Sequence, residues 1–295
     1  MAPRSFLFVP GDSQRKMEKA ATSAAHALML DLEDAVAEER LDEARGLVLA
    51  HLKSHTDRER QQVWVRINPI DTPKALADLA VIVAGAPDGV LLPKCLSGAD
   101  IVRLDHYLTA LEQREGVANG SIKIMAVATE TAAAMFELGS YRGVSARLHG
   151  LTWGAEDLST AVGASTNRND DASYAFTYQL ARTLCLLGSK AAGVEPIDTI
   201  FANFRDPAAL AAEVRRARQD GYTAKFAIHP DQVKVINDGF RPDDREVDKA
   251  RAIVAAFRAS DGRGAVQLDG MMLDKPHLTQ ALQTLQAAGV DAEPA

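Results

Sequence analysis

The chain has 295 residues, of which 47% are hydrophobic and 25% charged, a composition typical of globular proteins. Its formal net charge of −7 argues against nucleic acid as a partner, and no apolar run is long enough to cross a membrane. Two cysteines are too few for a disulfide framework, and the first apolar segment is too short for a signal peptide, so we expect a cytoplasmic protein.

Short apolar runs alternate with segments of helical periodicity over residues 4–230. The eight runs are residues 5–9, 27–32, 63–67, 89–92, 122–128, 148–153, 194–201 and 224–228. This alternation predicts a parallel sheet, and eight strand–helix units match the size of a (β/α)8 TIM barrel. The pattern does not prove that the sheet closes, so a doubly wound open sheet is the alternative.

The remaining residues lie outside these eight units. Residues 231–259 have a helical pattern with a break at Gly239, residues 265–270 look extended, and residues 271–289 end in another helix. We therefore predict a catalytic barrel of residues 1–240 and a C-terminal helical extension of residues 241–295. The extension would cover the barrel mouth or pack on a neighbouring subunit.

Acidic residues directly follow two of the apolar runs. Glu130 comes after residues 122–128, and Glu156 and Asp157 come after residues 148–153. Because α/β barrels carry catalytic groups at the carboxyl ends of their strands, we expect Glu130 and Asp157 to lie together. Two carboxylates suit Mg²⁺, with Mn²⁺ as a second candidate. Alternatively, each acid caps the helix-like segment that follows it.

Charged side chains also follow the second, third and fourth runs. Arg66 offers a planar fork for a substrate carboxylate, or else forms a salt bridge at its strand end to Asp31 or Glu33. Asp31, Glu33 and Asp34 crowd one strand end and need cations such as Lys94 beside them. We interpret Glu33 and Asp34 as groups that orient metal-bound water, the alternative being a solvated loop with a helix cap.

The first run is followed by Pro10-Gly11 and a basic helical segment. Backbone N–H groups at the start of that helix, with Lys16 and Lys19 beside them, would suit a phosphate. An ordinary capped helix with a basic face has the same pattern. The segment is therefore a candidate binding site for a phosphorylated ligand.

Eight short motifs occur in order along nearly the whole chain. They are Arg4-Ser-Phe-Leu-Phe-Val-Pro-Gly11, Asp31-Leu-Glu-Asp-Ala-Val36, Val65-Arg-Ile-Asn-Pro69, Leu92-Pro-Lys94, Glu130-Thr-Ala132, Gly154-Ala-Glu-Asp-Leu158, Ile228-His-Pro230 and Gly270-Met-Met-Leu-Asp274. Each motif alone is weak, but the ordered set is specific. Together they resemble the citrate lyase β-subunit-like branch of the HpcH/HpaI aldolase superfamily, which includes malyl-CoA and citramalyl-CoA lyases.

The resemblance implies an Mg²⁺-dependent barrel enzyme that breaks or forms a carbon–carbon bond between an acyl-CoA and a small 2-oxo acid. It implies that Glu130 and Asp157 bind the metal, that Arg66 grips the substrate carboxylate, and that Asp274 enters the active site of an adjacent subunit for proton transfer. It also implies a homotrimer. The further ligand contacts that it implies are Arg4, Lys16 and Lys19 for CoA, and Pro93 and Lys94 in the substrate site.

The first functional hypothesis is thus a lyase or synthase that interconverts malyl-CoA, citramalyl-CoA or citryl-CoA with acetyl-CoA and a 2-oxo acid. One alternative is a 2-oxo acid aldolase of the same superfamily that uses no CoA. Another is a citrate lyase β subunit that acts only in a complex with an acyl-carrier protein. A barrel without catalytic activity is the least favoured alternative, because it would retain Glu130, Asp157 and Arg66 without using them.

Overall fold

The computed structural model describes residues 3–260 and 264–290. The chain divides into two compact units, Pro3–Asn237 and the residues from Asp238 onward. In the first unit, eight parallel strands close into a barrel in chain order, with β1 paired to both β2 and β8. The predicted (β/α)8 TIM barrel is therefore confirmed, and the open sheet is excluded.

Each barrel strand overlaps one of the eight predicted apolar runs. The strands are β1 (Ser5–Pro10), β2 (Ala27–Asp31), β3 (Gln62–Arg66), β4 (Gly89–Leu92), β5 (Lys123–Val127), β6 (Leu148–Thr152), β7 (Glu195–Asp198) and β8 (Ala224–Ala227). Because helices cover the outer face of the sheet, residues on both faces of these strands are buried, which is why the runs are apolar rather than alternating.

The helices of this unit follow the strands along the chain. They are α1 (Gln14–Ala21), α2 (Leu41–Ser54), α3 (Pro73–Ile82), α4 (Gly98–Glu115), α5 (Ala155–Ala161), α6 (Phe176–Ala192), α7 (Pro207–Asp220) and α8 (Pro230–Gly239). Between β5 and β6 there are two short 3-10 segments, Ala134–Phe136 and Leu138–Tyr141. Among the described residues, none of the helices has the length and apolar character needed to cross a membrane.

Large apolar side chains fill the inside of the barrel. The buried cluster consists of Phe6, Ala27, Met29, Trp64, Leu91, Met125, Val127, Ile197, Ala224 and Phe226. At the start of β4, a Cβ atom on Gly89 would lie 2.1 Å from the Trp64 ring, so only glycine leaves room for the indole. The barrel is therefore a packed core, and its free space lies toward the strand ends.

The second unit has its own apolar core. Its elements are α9 (Asp244–Arg258), β9 (Ala265–Leu268), β10 (Met271–Asp274) and α10 (Lys275–Ala287). The predicted helix break at Gly239 is confirmed, because α8 ends there and α9 begins after Asp243. The predicted extended piece at residues 265–270 and the helix that ends residues 271–289 correspond to β9 and α10, but the prediction did not include β10, which pairs antiparallel with β9 across a turn at Asp269 and Gly270.

Candidate active site

A cavity of about 430 Å³ opens at the carboxyl ends of the barrel strands. Its charged lining residues are Asp31, Asp34, Arg66, Glu130, Glu156 and Asp157. Apolar side chains of Phe8, Leu91, Val127 and Phe226 form much of the rest. The charged groups that sequence reasoning selected from four separate strand ends thus meet around one cavity.

Arg66 ends β3 and is held by acids from the neighbouring β2 end. Its Nε and Nη2 atoms donate to the two carboxylate oxygens of Asp31 at 2.7 and 2.6 Å, a bidentate pair. Its Nη1 atom lies 2.9 Å from Glu33 Oε2 and 3.4 Å from Asp34 Oδ2. Although burial opposes the charge, these acids raise the pKa of Arg66 further, so the guanidinium stays charged. The Phe8 ring lies beneath it, 4.9 Å from Cζ.

Lys94 connects the β2, β5 and β6 ends. Its ammonium group donates to Glu33 and lies 3.6 Å from Asp157 Oδ1 and 3.9 Å from Asp34 Oδ1. Its backbone N–H donates to Glu130 Oε2 at 2.5 Å. The backbone adopts φ of 51°, a left-handed conformation that is uncommon for lysine and typical of functional sites. One residue therefore contacts Glu33, Glu130 and Asp157 at once.

Glu130 is a buried carboxylate with only 4% of its surface exposed. Burial raises the pKa of Glu130 to about 8, and the negative charges of Asp157 and Glu33 raise it as well. The hydrogen bond from the Lys94 N–H acts in the opposite direction and lowers the pKa. Burial likewise raises the pKa of Glu33. Like charges so close together leave an excess of negative charge that a bound cation would neutralise.

The donor set fits a hard divalent cation. Within residues 3–260 and 264–290, no group of three or more His, Cys, Asp or Glu side chains is arranged to hold a metal. Glu130 and Asp157 would supply two carboxylates, and Mg²⁺ usually binds protein through one or two carboxylates while water and substrate oxygens complete its coordination.

The ends of β5 and β6 are packed tightly beside this acid pair. The Gly154 N–H donates to Thr129 Oγ1 at 3.1 Å, and a Cβ atom on Gly154 would lie 2.9 Å from Glu130 Cγ. Gly154 precedes α5, which carries Glu156 and Asp157 in its first turn. The close approach of Gly154 to Glu130 therefore brings the two predicted ligands to the same edge.

Other sequence-predicted residues lie elsewhere. Arg4 precedes β1, where its backbone bonds to His26 and Lys225 at the amino end of the barrel, opposite the cavity, so the structure does not bring it to the site. Lys16 and Lys19 are exposed on α1, and Pro93 is buried next to Lys94. Asp274 belongs to the second unit, where its carboxylate contacts His277 at 2.5 Å at the start of α10.

Sequence reasoning missed the uncharged part of the cavity. Phe8, Thr152, Thr199 and Phe226 line it, but threonine and phenylalanine are ordinary strand residues and attract no attention in a motif search. The available signal was positional. Thr152 is the last residue of β6, and Thr199 directly follows β7.

Comparison with known proteins gives consistent matches along the chain. Residues 4–230 match the HpcH/HpaI aldolase/citrate lyase family. Citrate lyase subunit beta of Haemophilus influenzae is 32% identical, over 97% of this chain and 96% of that protein. A (3S)-malyl-CoA thioesterase of Cereibacter sphaeroides is 33% identical, over 97% and 94%. The crystal structure of CitE from Mycobacterium tuberculosis with magnesium, acetoacetate and coenzyme A is similar at a TM-score of 0.81 and 32% identity, over 98% of both chains.

Proposed function

The chain belongs to the HpcH/HpaI aldolase/citrate lyase family and is a lyase of the CoA-ester type, and from this premise we propose an Mg²⁺-dependent reaction. The enzyme cleaves, or forms, a 3-hydroxyacyl-CoA such as malyl-CoA, citramalyl-CoA or citryl-CoA. The products are acetyl-CoA and a small 2-oxo acid. The observation that carries the proposal is the pairing of Glu130 and Asp157 with Arg66 around one cavity.

Glu130 and Asp157 are the proposed metal ligands. A bound Mg²⁺ would act as a Lewis acid toward the oxygens of the substrate. Solved CitE relatives contain magnesium with acetoacetate or with pyruvate, which supports the assignment; Mn²⁺ is a possible substitute. Lys94 keeps the two carboxylates oriented, since it contacts Glu130 through its backbone and Asp157 through its side chain.

Arg66 binds the carboxylate of the substrate in this proposal. Asp31 already fixes the guanidinium plane through Nε and Nη2, and Nη1, which lies near Glu33 and Asp34, turns to the substrate when the exposed Asp34 gives way. In cleavage, the substrate hydroxyl gives its proton to a water molecule, its C–O bond becomes the carbonyl of the 2-oxo acid as the bond to the thioester α-carbon breaks, and the electron pair of that bond passes to the enolate of acetyl-CoA. Glu33 and Asp34 are positioning groups that hold Lys94 and Arg66 during this step.

Lys16 and Lys19 are the proposed contacts for the CoA phosphates. Both are exposed on α1, whose first turn carries no acid and whose Ser13 cap leaves the first N–H groups without a side-chain acceptor. Positive charge and free N–H groups are the two features that attract phosphate. Arg4 is not included, because it lies at the other end of β1.

We further propose that the enzyme is a cytoplasmic homotrimer in which Asp274 of one subunit serves the barrel of the next. The enolate needs a proton after cleavage, and within the barrel unit Arg66 and Lys94 already engage the carboxylates of Asp31, Glu33, Asp34 and Asp157. An acid from an adjacent subunit would supply the proton. Two buried free cysteines are consistent with a reducing compartment.

A cleavage assay tests the proposed function. The purified protein is incubated with malyl-CoA, citramalyl-CoA or citryl-CoA and Mg²⁺, with and without chelator, and acetyl-CoA and each 2-oxo acid are measured. Chelator-sensitive release from one thioester is the expected result. If folded, magnesium-loaded protein cleaves none of them, the function moves to the aldolase that uses no CoA or to the subunit that needs a carrier protein.

A further inference from the structure

Thr152 is a buried polar residue without a partner. It is the last residue of β6, only 2% of its surface is exposed, and it lines the cavity at the strand ends. Among the described residues, nothing accepts from or donates to its Oγ1 atom. A buried hydroxyl that makes no hydrogen bond destabilises the fold, whereas valine has the same shape without that penalty.

The side chain of Thr152 points into the barrel. In the strand register it stands opposite Val127 of β5 and Ile197 of β7, and both of those residues belong to the interior core. The Thr152 backbone oxygen is already used, because it accepts the N–H of Ala128. The hydroxyl, which has no such partner, is left for a molecule in the cavity.

We propose that the Thr152 hydroxyl donates a hydrogen bond to the thioester carbonyl oxygen of the substrate, an inference that rests on the proposed function. A malyl-type thioester has three oxygen-bearing groups. Its carboxylate and hydroxyl suit Arg66 and the Glu130–Asp157 pair, so the thioester carbonyl is the group without a partner. A neutral donor between apolar neighbours suits a carbonyl better than a carboxylate.

This contact grows stronger as the reaction proceeds. When the carbon–carbon bond breaks, its electron pair becomes the enolate, and negative charge collects on the carbonyl oxygen that Thr152 contacts. A donor aimed at developing charge stabilises the transition state more than the ground state. Thr152 is thus a substrate-binding residue that affects turnover as well as binding.

The test compares wild type with Thr152→Val, Thr152→Ser and a distant control, Thr109→Val. Thr109 lies on α4, and its hydroxyl has partners in Asp105 and Arg147. Thr152→Val should melt at the same or a higher temperature than wild type and yet lose roughly tenfold in kcat/KM, while Thr152→Ser recovers most of the activity. Thr109→Val should show the reverse, with a lower melting temperature and unchanged kinetics.

Binding to two CoA derivatives isolates the carbonyl contact without requiring turnover. Acetyl-CoA contains the thioester carbonyl, and S-ethyl-CoA has a methylene in its place. Thr152→Val should weaken acetyl-CoA binding by about fivefold and leave S-ethyl-CoA binding unchanged. Comparing two proteins with two ligands isolates the interaction between the Thr152 hydroxyl and the thioester carbonyl.

Equal affinity of wild type and Thr152→Val for acetyl-CoA would overturn the proposal, and so would an equal loss for both derivatives. A lower melting temperature of Thr152→Val would also overturn it, because the hydroxyl would then have a partner inside the protein. If the wild type cleaves no thioester but the binding difference holds, the proposed lyase function fails while the Thr152 contact stands.

Discussion

Arg66 is oriented by its own protein before any substrate binds. The bidentate pair with Asp31 and the contact with Glu33 realise the salt bridge that the sequence offered as the alternative to substrate binding. The two interpretations are compatible, because the acids fix the guanidinium plane while Arg66 still lines the cavity. A group fixed in this way loses little conformational entropy when it binds a carboxylate.

Arg66→Lys should therefore separate orientation from charge. A lysine keeps the positive charge but cannot make the paired hydrogen bonds to Asp31 and still present a flat edge to the substrate. We expect kcat/KM for cleavage to fall by about tenfold to a hundredfold. Arg103→Lys on α4, a conservative change of an arginine that packs on Tyr107, is the control and should leave kcat/KM unchanged. Unaltered kinetics in Arg66→Lys would contradict the role of the guanidinium fork.

At the residue scale, the sequence marks charged groups at strand ends but not the direction in which each side chain points. Asp198 is the last residue of β7, a position like that of Glu130, which follows β5. The Asp198 carboxylate, however, accepts hydrogen bonds from Trp153 Nε1 and from the fully buried Lys225 Nζ, each at 2.8 Å. Ile197, its neighbour, belongs to the interior core, so Asp198 faces the helices outside the barrel. Spacing along the chain does not reveal which acid at a strand end faces inward, since a shift of one residue along a strand moves the side chain to the opposite face of the sheet.

At the element scale, the carboxyl ends of β2 to β6 position the site. Adjacent parallel strands bring these ends to one edge, so residues far apart in sequence meet: Lys94 follows β4, and its ammonium group reaches Glu33 after β2 and Asp157 after β6. This arrangement was predictable from the strand order of a barrel. The left-handed backbone of Lys94 was not, because no turn residue such as glycine or asparagine marks it.

The β9–β10 hairpin was missed although its signal is present. Asp269 and Gly270 both have positive φ, at 51° and 77°, as a two-residue type I′ turn requires, and Asp-Gly favours that turn. Met271 to Asp274 carry no alternation of apolar and polar residues and run into the pattern of α10. The missing alternation of apolar and polar residues therefore hid β10, although the Asp-Gly pair marks the turn before it.

The start of β4 depends on the absence of a side chain. Gly89→Ala would place a methyl group 2.1 Å from the Trp64 ring in the middle of the barrel core, where the indole is already buried. We expect a loss of about 1–3 kcal/mol in the free energy of unfolding, measured by urea denaturation. Gly139→Ala, where a Cβ atom meets nothing within 4 Å, is the matched control. Equal stability of both variants would contradict the packing described here.

The end of α2 makes stability depend on pH. Burial lowers the pKa of His51 to about 4, with His55 and Arg58 adding to the effect. The unfolded chain takes up a proton near pH 6.5 that the folded chain binds only near pH 4, so stability falls as the pH drops through this range. His51→Gln should lose less melting temperature between pH 7 and 5 than wild type. His106→Gln, at an exposed position on α4, is the control. If the melting temperature of His51→Gln fell between pH 7 and 5 as much as that of wild type, this assignment would be contradicted.

At the scale of the whole molecule, closure of the barrel decides what the sequence could predict. Eight regular strand–helix units determine the fold class, and the carboxyl ends then follow from the direction of the chain. The role of the second unit does not follow in this way. A small unit with its own core can serve its own barrel or that of another subunit, and its sequence pattern is the same in both cases.

Mixing two inactive variants tests whether Asp274 acts on a neighbouring subunit. Asp274→Asn and Glu130→Gln should each be inactive alone. After subunit exchange, some sites combine an intact Glu130 with an intact Asp274 from another chain, so cleavage activity should return. Light scattering of the mixture should give the mass of a trimer. Failure to recover activity in demonstrably mixed trimers would contradict action between subunits.

Glu130 and Asp157 are the proposed ligands of the catalytic Mg²⁺. Thioester cleavage, measured as a function of Mg²⁺ concentration in single variants, tests this assignment most directly. Glu130→Gln and Asp157→Asn should lose Mg²⁺-dependent turnover, while Glu137→Gln, an exposed glutamate outside the cavity, should match wild type. Without metal, Glu130→Gln should melt no lower than wild type, because burial and the charges of Asp157 and Glu33 raise the pKa of Glu130 and disfavour its charged form, which glutamine lacks. Unchanged Mg²⁺-dependent turnover in both ligand variants would contradict the account.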